Sequence, residues 1–175
     1  MPPKDLIIDL SEIDLNHVVA DIEEIRRYNR QRYEAEQLTA IVYDNAERLI
    51  CVGYKDVTEH EFWVRGHMPG MPIMPGVVMC EAAAQMCSYF TLKHDLLGDS
   101  TTVVGLGGLE EIRFRDPVRP GDRLVIACQQ LKVRRGAIIV CRFQGFVREQ
   151  LVVEGKMKGV PLPVDSLAGQ PGSTS

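Results

Sequence analysis

The chain of 175 residues holds no apolar run of the roughly 18–20 residues that a membrane-spanning helix needs. It has no excess of positive charge, since 20 basic side chains face 24 acidic ones for a net −4, which argues against a nucleic-acid binder. It is poor in cysteine motifs too. Cys51, Cys80, Cys87, Cys128 and Cys141 are odd in number, no CxxC occurs, and all sit among apolar neighbours. The expectation is five reduced core thiols of a cytosolic protein, with neither a disulfide nor a zinc site. The N-terminus scatters acids through MPPKDLIIDLSEIDL and has no apolar stretch with a small-residue cleavage site, so it does not read as a secretory signal. GLGGLEE, from Gly105 to Glu111, lacks both G-x-G-x-x-G and the lysine of a phosphate-binding loop and is not a nucleotide site. No internal repeat is found.

What is present is a balanced globular composition, 45% hydrophobic and 25% charged, of a length that suits one domain. The expected domain runs over 1–160 with an N-terminal helical extension, and Pro161 to Ser175 reads as a frayed tail. Leu15 to Arg30 has helical spacing, with acids early and arginines late. Leu38 to Tyr43 and Arg48 to Lys55 read as strands around an Asp44-Asn45 turn, and Thr58 to Arg65 as a short third strand. Further strands are expected at Thr102 to Leu106, Leu109 to Arg115, Asp122 to Val133, Ala137 to Phe146 and Gln150 to Gly159, with a turn at Gly107-Gly108.

Two segments stand apart. His67 to Gly76 carries Pro69, Pro72 and Pro75 with Gly70 and Gly76, so it forms a stiff loop and no regular element. It runs into Val77 to about Asp95, a helix apolar on nearly every face and therefore buried. The expected fold is α+β, a mostly antiparallel sheet of five to seven strands curled around one long central helix.

The chemistry concentrates where loop meets helix. Glu81 falls one turn into the apolar helix, where an unpaired carboxylate costs several kcal/mol or holds its proton. Gln85, four residues on, shares its face and can orient it. A core carboxylate satisfied by backbone groups or an arginine is the other reading. His67, fixed by Gly66 and the Met68-Pro69-Gly70 turn, can pair with Glu81 as base and acid. His17, His60 and His94 read as structural or exposed. Gly76, after Pro75, lies at the helix start, where backbone N–H groups lack intrahelical partners and can hold an oxyanion; an ordinary helix cap fits the same spacing. Base, acid and oxyanion donor are the parts that enolise a thioester and expel a β-hydroxyl. From Arg113 to Arg135 lie seven basic residues and two acids, which on one face of a strand pair would attract an acidic partner or a phosphate; a solvated face with scattered ion pairs is the other reading.

GHMPGMPIMPGVVMCEAAAQ, Gly66 to Gln85, resembles the signature GHFPxxPIMPGVLxxEAMAQ of the 3-hydroxyacyl-[acyl-carrier-protein] dehydratases of the FabZ type. RFRDPVRPGDRL, Arg113 to Leu124, and KVRRG, Lys132 to Gly136, resemble that family's FRxPVxPGDxL and KxRxG segments. Weaker likeness runs from about Asp21 to Gly159. The resemblance implies a hotdog fold and a homodimer with two interfacial sites, often assembled as three dimers. His67 then matches the catalytic histidine and Glu81 the catalytic acid, given by the neighbouring subunit. Gly76 matches the residue whose N–H polarises the thioester carbonyl, and Met68, Pro75, Val77 and Gln85 are the further residues expected at the substrate. No metal or cofactor is implied. The acyl chain rides on the phosphopantetheine arm of acyl carrier protein, an acidic partner suited to Arg113, Arg115, Arg119, Arg134 and Arg135. The alternatives are a hotdog acyl thioesterase, a dehydratase of a specialised polyketide or lipid pathway, or a non-enzymatic acyl-binding protein. Two departures stand out. Met68 replaces the family's Phe, and NRQRYEAEQLTAIVYD, Asn29 to Asp44, retains little of PHRxPFLLVDR.

Overall fold

The computed structural model describes residues 5–98 and 102–163. Six strands form one antiparallel sheet: β1 (Ala40–Asn45), β2 (Ile50–Asp56), β3 (Thr102–Phe114), β4 (Arg123–Arg134), β5 (Ile138–Val147) and β6 (Gln150–Pro163). Their order across the sheet is β1-β2-β4-β5-β6-β3, which leaves β3 at one edge, hydrogen-bonded to β6 alone. The short helix α1 (Ile22–Tyr28) precedes the sheet, and the central helix α2 (Gly76–Lys93) lies in its curl. This is the hotdog arrangement the signature implies.

Alternation builds the two layers. One face of β2 and β4, carrying Cys51, Leu124, Ile126 and Cys128, packs on α2 through Met79, Ala83, Met86, Tyr89 and Phe90. Each large side chain buried there stabilises the fold by about 1.5–3 kcal/mol. The opposite face, with Val52, Tyr54, Val125 and Ala127, is covered by the N-terminal segment through Ile7, Ile8 and Ile13. Ile7 N–H donates to Gln144 Oε1 at 2.9 Å, which pins that strap to β5. At the far end of α2, Asp44 receives Lys93 Nζ at 2.9 Å and faces His94 Nε2 at 2.6 Å, tying the helix to β1.

Several expectations are corrected. The helix expected over Leu15 to Arg30 is confined to Ile22–Tyr28, because Asp21 caps it by accepting from Glu24 N–H and residues before it pair with Ile41 instead. Thr58 to Arg65 is a series of turns that buries Trp63, not a strand. β1 runs through Asp44 and Asn45, and the chain reverses over 46–49. Gly107-Gly108 is no turn. β3 continues through it, with only a shift of register between Leu106 and Gly108. Pro161 to Pro163, placed in the tail, belongs to β6 at the sheet's edge pair, and 164–175 lie outside the described residues. Cys87 and Cys141 are not free thiols. They form a disulfide between α2 and β5, which the absence of CxxC did not exclude because the partners are 54 residues apart. Cys51, Cys80 and Cys128 are free and buried, as expected.

Candidate active site

The proline-rich loop is closed by His67 itself. Gly66 N–H and His67 N–H both donate to Trp63 O, at 3.1 and 2.7 Å. Ile73 N–H donates to His67 O at 3.1 Å, and the ring answers, with Nδ1 2.9 Å from Ile73 O. A carbonyl only accepts, so Nδ1 carries the proton and the neutral ring leaves its lone pair on Nε2. The His67–Met68 peptide is cis. Met74 N–H donates to Val118 O at 2.8 Å and anchors the loop to the segment before β4.

His67 lines an open cavity of about 560 Å³ with Ile73, Pro75, Gly76, Val77 and Phe114. α2 begins there, so the Gly76 and Val77 N–H groups have no intrahelical acceptor. Phe114 rests on Gly76 so closely that a Cβ would meet the ring at 2.7–2.8 Å unless that exposed ring shifted. Met68, Val77 and Phe114 are exposed, at 47%, 75% and 52%.

Glu81 lies in a second cavity, of about 100 Å³, between α2 and the strands β3, β5 and β6. Within one chain the imidazole and the carboxyl thus open onto different spaces. Glu81 is not fully buried, contrary to the reading of α2 as apolar all round. Val77, Glu81, Ala84 and Ser88, spaced four, three and four apart, form the one stripe of α2 that its own sheet leaves partly uncovered. Gln85 holds Glu81 as expected, donating from Nε2 to Oε1 at 2.7 Å. It is itself clamped, because Nε2 also donates to Ala35 O at 2.7 Å and Oε1 accepts from Gln37 N–H at 2.8 Å. A flipped amide would set donor against donor and acceptor against acceptor, so only one orientation is viable.

The segment holding Gln85 is the one that departs from the family pattern. Glu36 accepts from Arg26 Nε at 2.6 Å, and that guanidinium holds the Glu36 carboxyl below its usual range. Sequence reasoning marked the departure and missed its replacement device, together with Phe114, whose signal is an aromatic between two arginines at a strand end.

The basic residues do not share one face. Arg115 lines the His67 cavity and pairs with Glu154, and Arg113 sits beside it in a separate charged groove. Arg119 lies in the loop before β4. Arg134 ends β4 and Arg135 follows it, up to about 36 Å along the strand from Arg123 at 3.3 Å per residue, and Arg135 pairs with Asp95 at 3.8 Å. Arg123 is bound to Asp56 at 2.6 Å and stacks on Tyr54. The expected single patch is therefore two.

The family model of the FabA-like domain matches residues 35–156. The chain belongs to the FabA-like family. Among curated members, it is 40% identical over 139 residues to a 3-hydroxyacyl-[acyl-carrier-protein] dehydratase FabZ of Syntrophobacter fumaroxidans, covering 78% of this chain and 90% of that one. It is 41% identical over 108 residues to the enzyme of the same name from Desulfotalea psychrophila, covering 61% and 70%. Among solved structures, the dehydratase heterocomplex ApeI:P of Xenorhabdus doucetiae matches with a TM-score of 0.68 at 13% identity, covering 83% of this chain and 97% of that one. This last likeness speaks for the FabA-like fold alone. The family match covers the His67 loop, α2 and all six strands except the last residues of β6.

Proposed function

We propose that this chain is a hydro-lyase that converts (3R)-3-hydroxyacyl thioesters on acyl carrier protein to trans-2-enoyl thioesters, in fatty acid or related lipid biosynthesis. The observation that carries the reading is the His67 ring. Its Nδ1–H is committed to Ile73 O, which leaves Nε2 as the free nitrogen, and His67 lines a cavity together with the helix start at Gly76 and Val77. Nε2 takes the C2 proton. The Gly76 N–H stabilises the oxygen of the enolate-like thioester, and Val77, Met68 and Pro75 wall the site. The electron pair forms the C2–C3 double bond, the C3–O bond breaks, and the hydroxyl leaves as water with a proton from Glu81. Gln85 occupies Glu81 Oε1 with a donor, so Oε2 is the oxygen that handles this proton.

His67 and Glu81 of one chain line separate cavities, so the reaction needs Glu81 from a second copy. Two features support a homodimer joined along β3. The strand is a 13-residue edge with an unpaired side, a template for further pairing, and Leu106, Leu109 and Phe114 stand exposed on it. Three such dimers make the larger assembly implied by the resemblance. The carrier protein, acidic, would approach Arg113, Arg115 and Arg119, while Arg134 and Arg135 are too distant to share that contact. Acid–base elimination of this kind needs no metal or cofactor. Among the described residues no helix is long and apolar enough to cross a membrane. A carrier-bound substrate fits a reaction carried out in the cytoplasm.

The test is enoyl-thioester absorbance during hydration of a crotonyl thioester and during the forward reaction. His67→Ala and Glu81→Gln should each lose about 10²–10⁴-fold in kcat. Full rates in both variants would refute the roles, and release of free thiol from a saturated acyl thioester would mark a hydrolase instead.

A further inference from the structure

The cavity that Glu81 opens has a polar mouth and a floor of sulfur. Gln31 and the exposed Leu106 stand with Glu81 at its surface end. Its inner end is closed by Cys87, Cys141 and Met157, all buried at 5% exposure or less. Cys87 is bonded to Cys141, so neither sulfur can swing aside as a lone flexible side chain can.

We infer that Cys87, Cys141 and Met157 form the stop that sets how long an acyl chain this protein accepts, restricting it to short and medium chains. The inference rests on the dehydratase reading above and adds its substrate range. Cys87 lies six residues beyond Glu81 on α2, about 9 Å along the axis at 1.5 Å per residue. A fully extended chain of single bonds advances about 1.2 Å per bond, one third of the span of a peptide residue. That length admits at most about seven carbons beyond the reacting C3. The cavity's volume of about 100 Å³, against the roughly 150 Å³ that takes the six carbons of benzene, admits about four to five. Acyl groups up to about C8 fit, and longer ones meet the sulfurs.

The experiment measures kcat/KM of the full chain for C4, C8, C12 and C16 3-hydroxyacyl thioesters. The parent protein should lose at least about tenfold between C8 and C12, the order of discrimination a hydrophobic pocket achieves against added methylenes. The double variant Cys87→Ala/Cys141→Ala should raise the C12-to-C8 ratio by about tenfold. Met157→Ala, which leaves the disulfide in place, should raise it as well and stands in should the double variant fail to fold. A flat profile through C16 in the parent, or an unchanged ratio in the folded variants, overturns the floor while leaving the dehydratase reading intact. No dehydration at any length overturns that reading and the floor with it.

Discussion

Replacing Gln85 with Leu tests whether the clamp on Glu81 matters to chemistry or only to packing. Gln85 is 2% exposed and makes three hydrogen bonds of 2.7–2.8 Å. Leucine fills similar space but makes none of them. Gln37 is equally buried, so its N–H loses its acceptor and the fold should lose about 1–3 kcal/mol. The exposed Ala35 carbonyl finds water and adds little. At the site, the variant removes a hydrogen bond to a carboxyl group, worth about 1.5–3 kcal/mol when the acceptor is charged. That corresponds to about ten- to hundredfold in kcat. Gln85 acts through Glu81, so KM should change little. A double-mutant cycle separates the roles: in a Glu81→Gln background the Gln85→Leu change should cost almost nothing further in kcat. An unchanged kcat in the single variant, or losses that simply multiply in the double, would show that the clamp is only structural.

Gly53→Ala should destabilise the fold by about 1–3 kcal/mol in a denaturant titration, because its Cβ would meet Ala40 O at 2.5 Å and Met86 Cε at 2.7 Å; an unshifted midpoint would contradict that packing. Arg26 lowers the folded-state pKa of Glu36, so the contribution of this pair is present above the usual 4.5 and is lost as pH falls through the lower folded value. Thermal melts of Glu36→Gln should accordingly show a weaker acid dependence than the parent between about pH 5 and 3, and parallel curves would rule the pair out as a contributor. If the proposed dimer forms along β3, Leu109→Asp on that open edge should yield monomers by sedimentation and abolish turnover, since the two halves of the proposed site part; a fully active monomer would exclude the shared site.

The apolar run of α2 and the β-branched segments disclosed the helix and the sheet because burial leaves a compositional trace in each. The loop before α2 was equally legible, since three prolines in seven residues permit little else. What composition hides is partnership. Nothing in the spacing of Cys87 and Cys141 shows that a helix face meets β5, and Gly107-Gly108 spells a turn unless β6 is there to hold the strand straight. The basic residues read as one patch because they are near in sequence, while β4 carries its two ends far apart. Asp21 illustrates local chemistry winning over periodicity, as one side-chain cap starts α1 seven residues later than the pattern of apolar positions allows. At the site, residue types and their order were visible. The clamp formed by Ala35, Gln37 and Gln85 was not, since two of its three members act through backbone atoms that any sequence supplies.

The bond from His67 to Ile73 is made through the nitrogen that keeps its hydrogen whether the imidazole is neutral or cationic. Gaining and giving up a proton at the opposite nitrogen therefore leaves the loop's closing contact in place. In the proposed mechanism the wall of the reaction chamber then stays rigid while its base cycles, so each turnover begins with the ring already aimed and no interval of re-ordering between one substrate and the next.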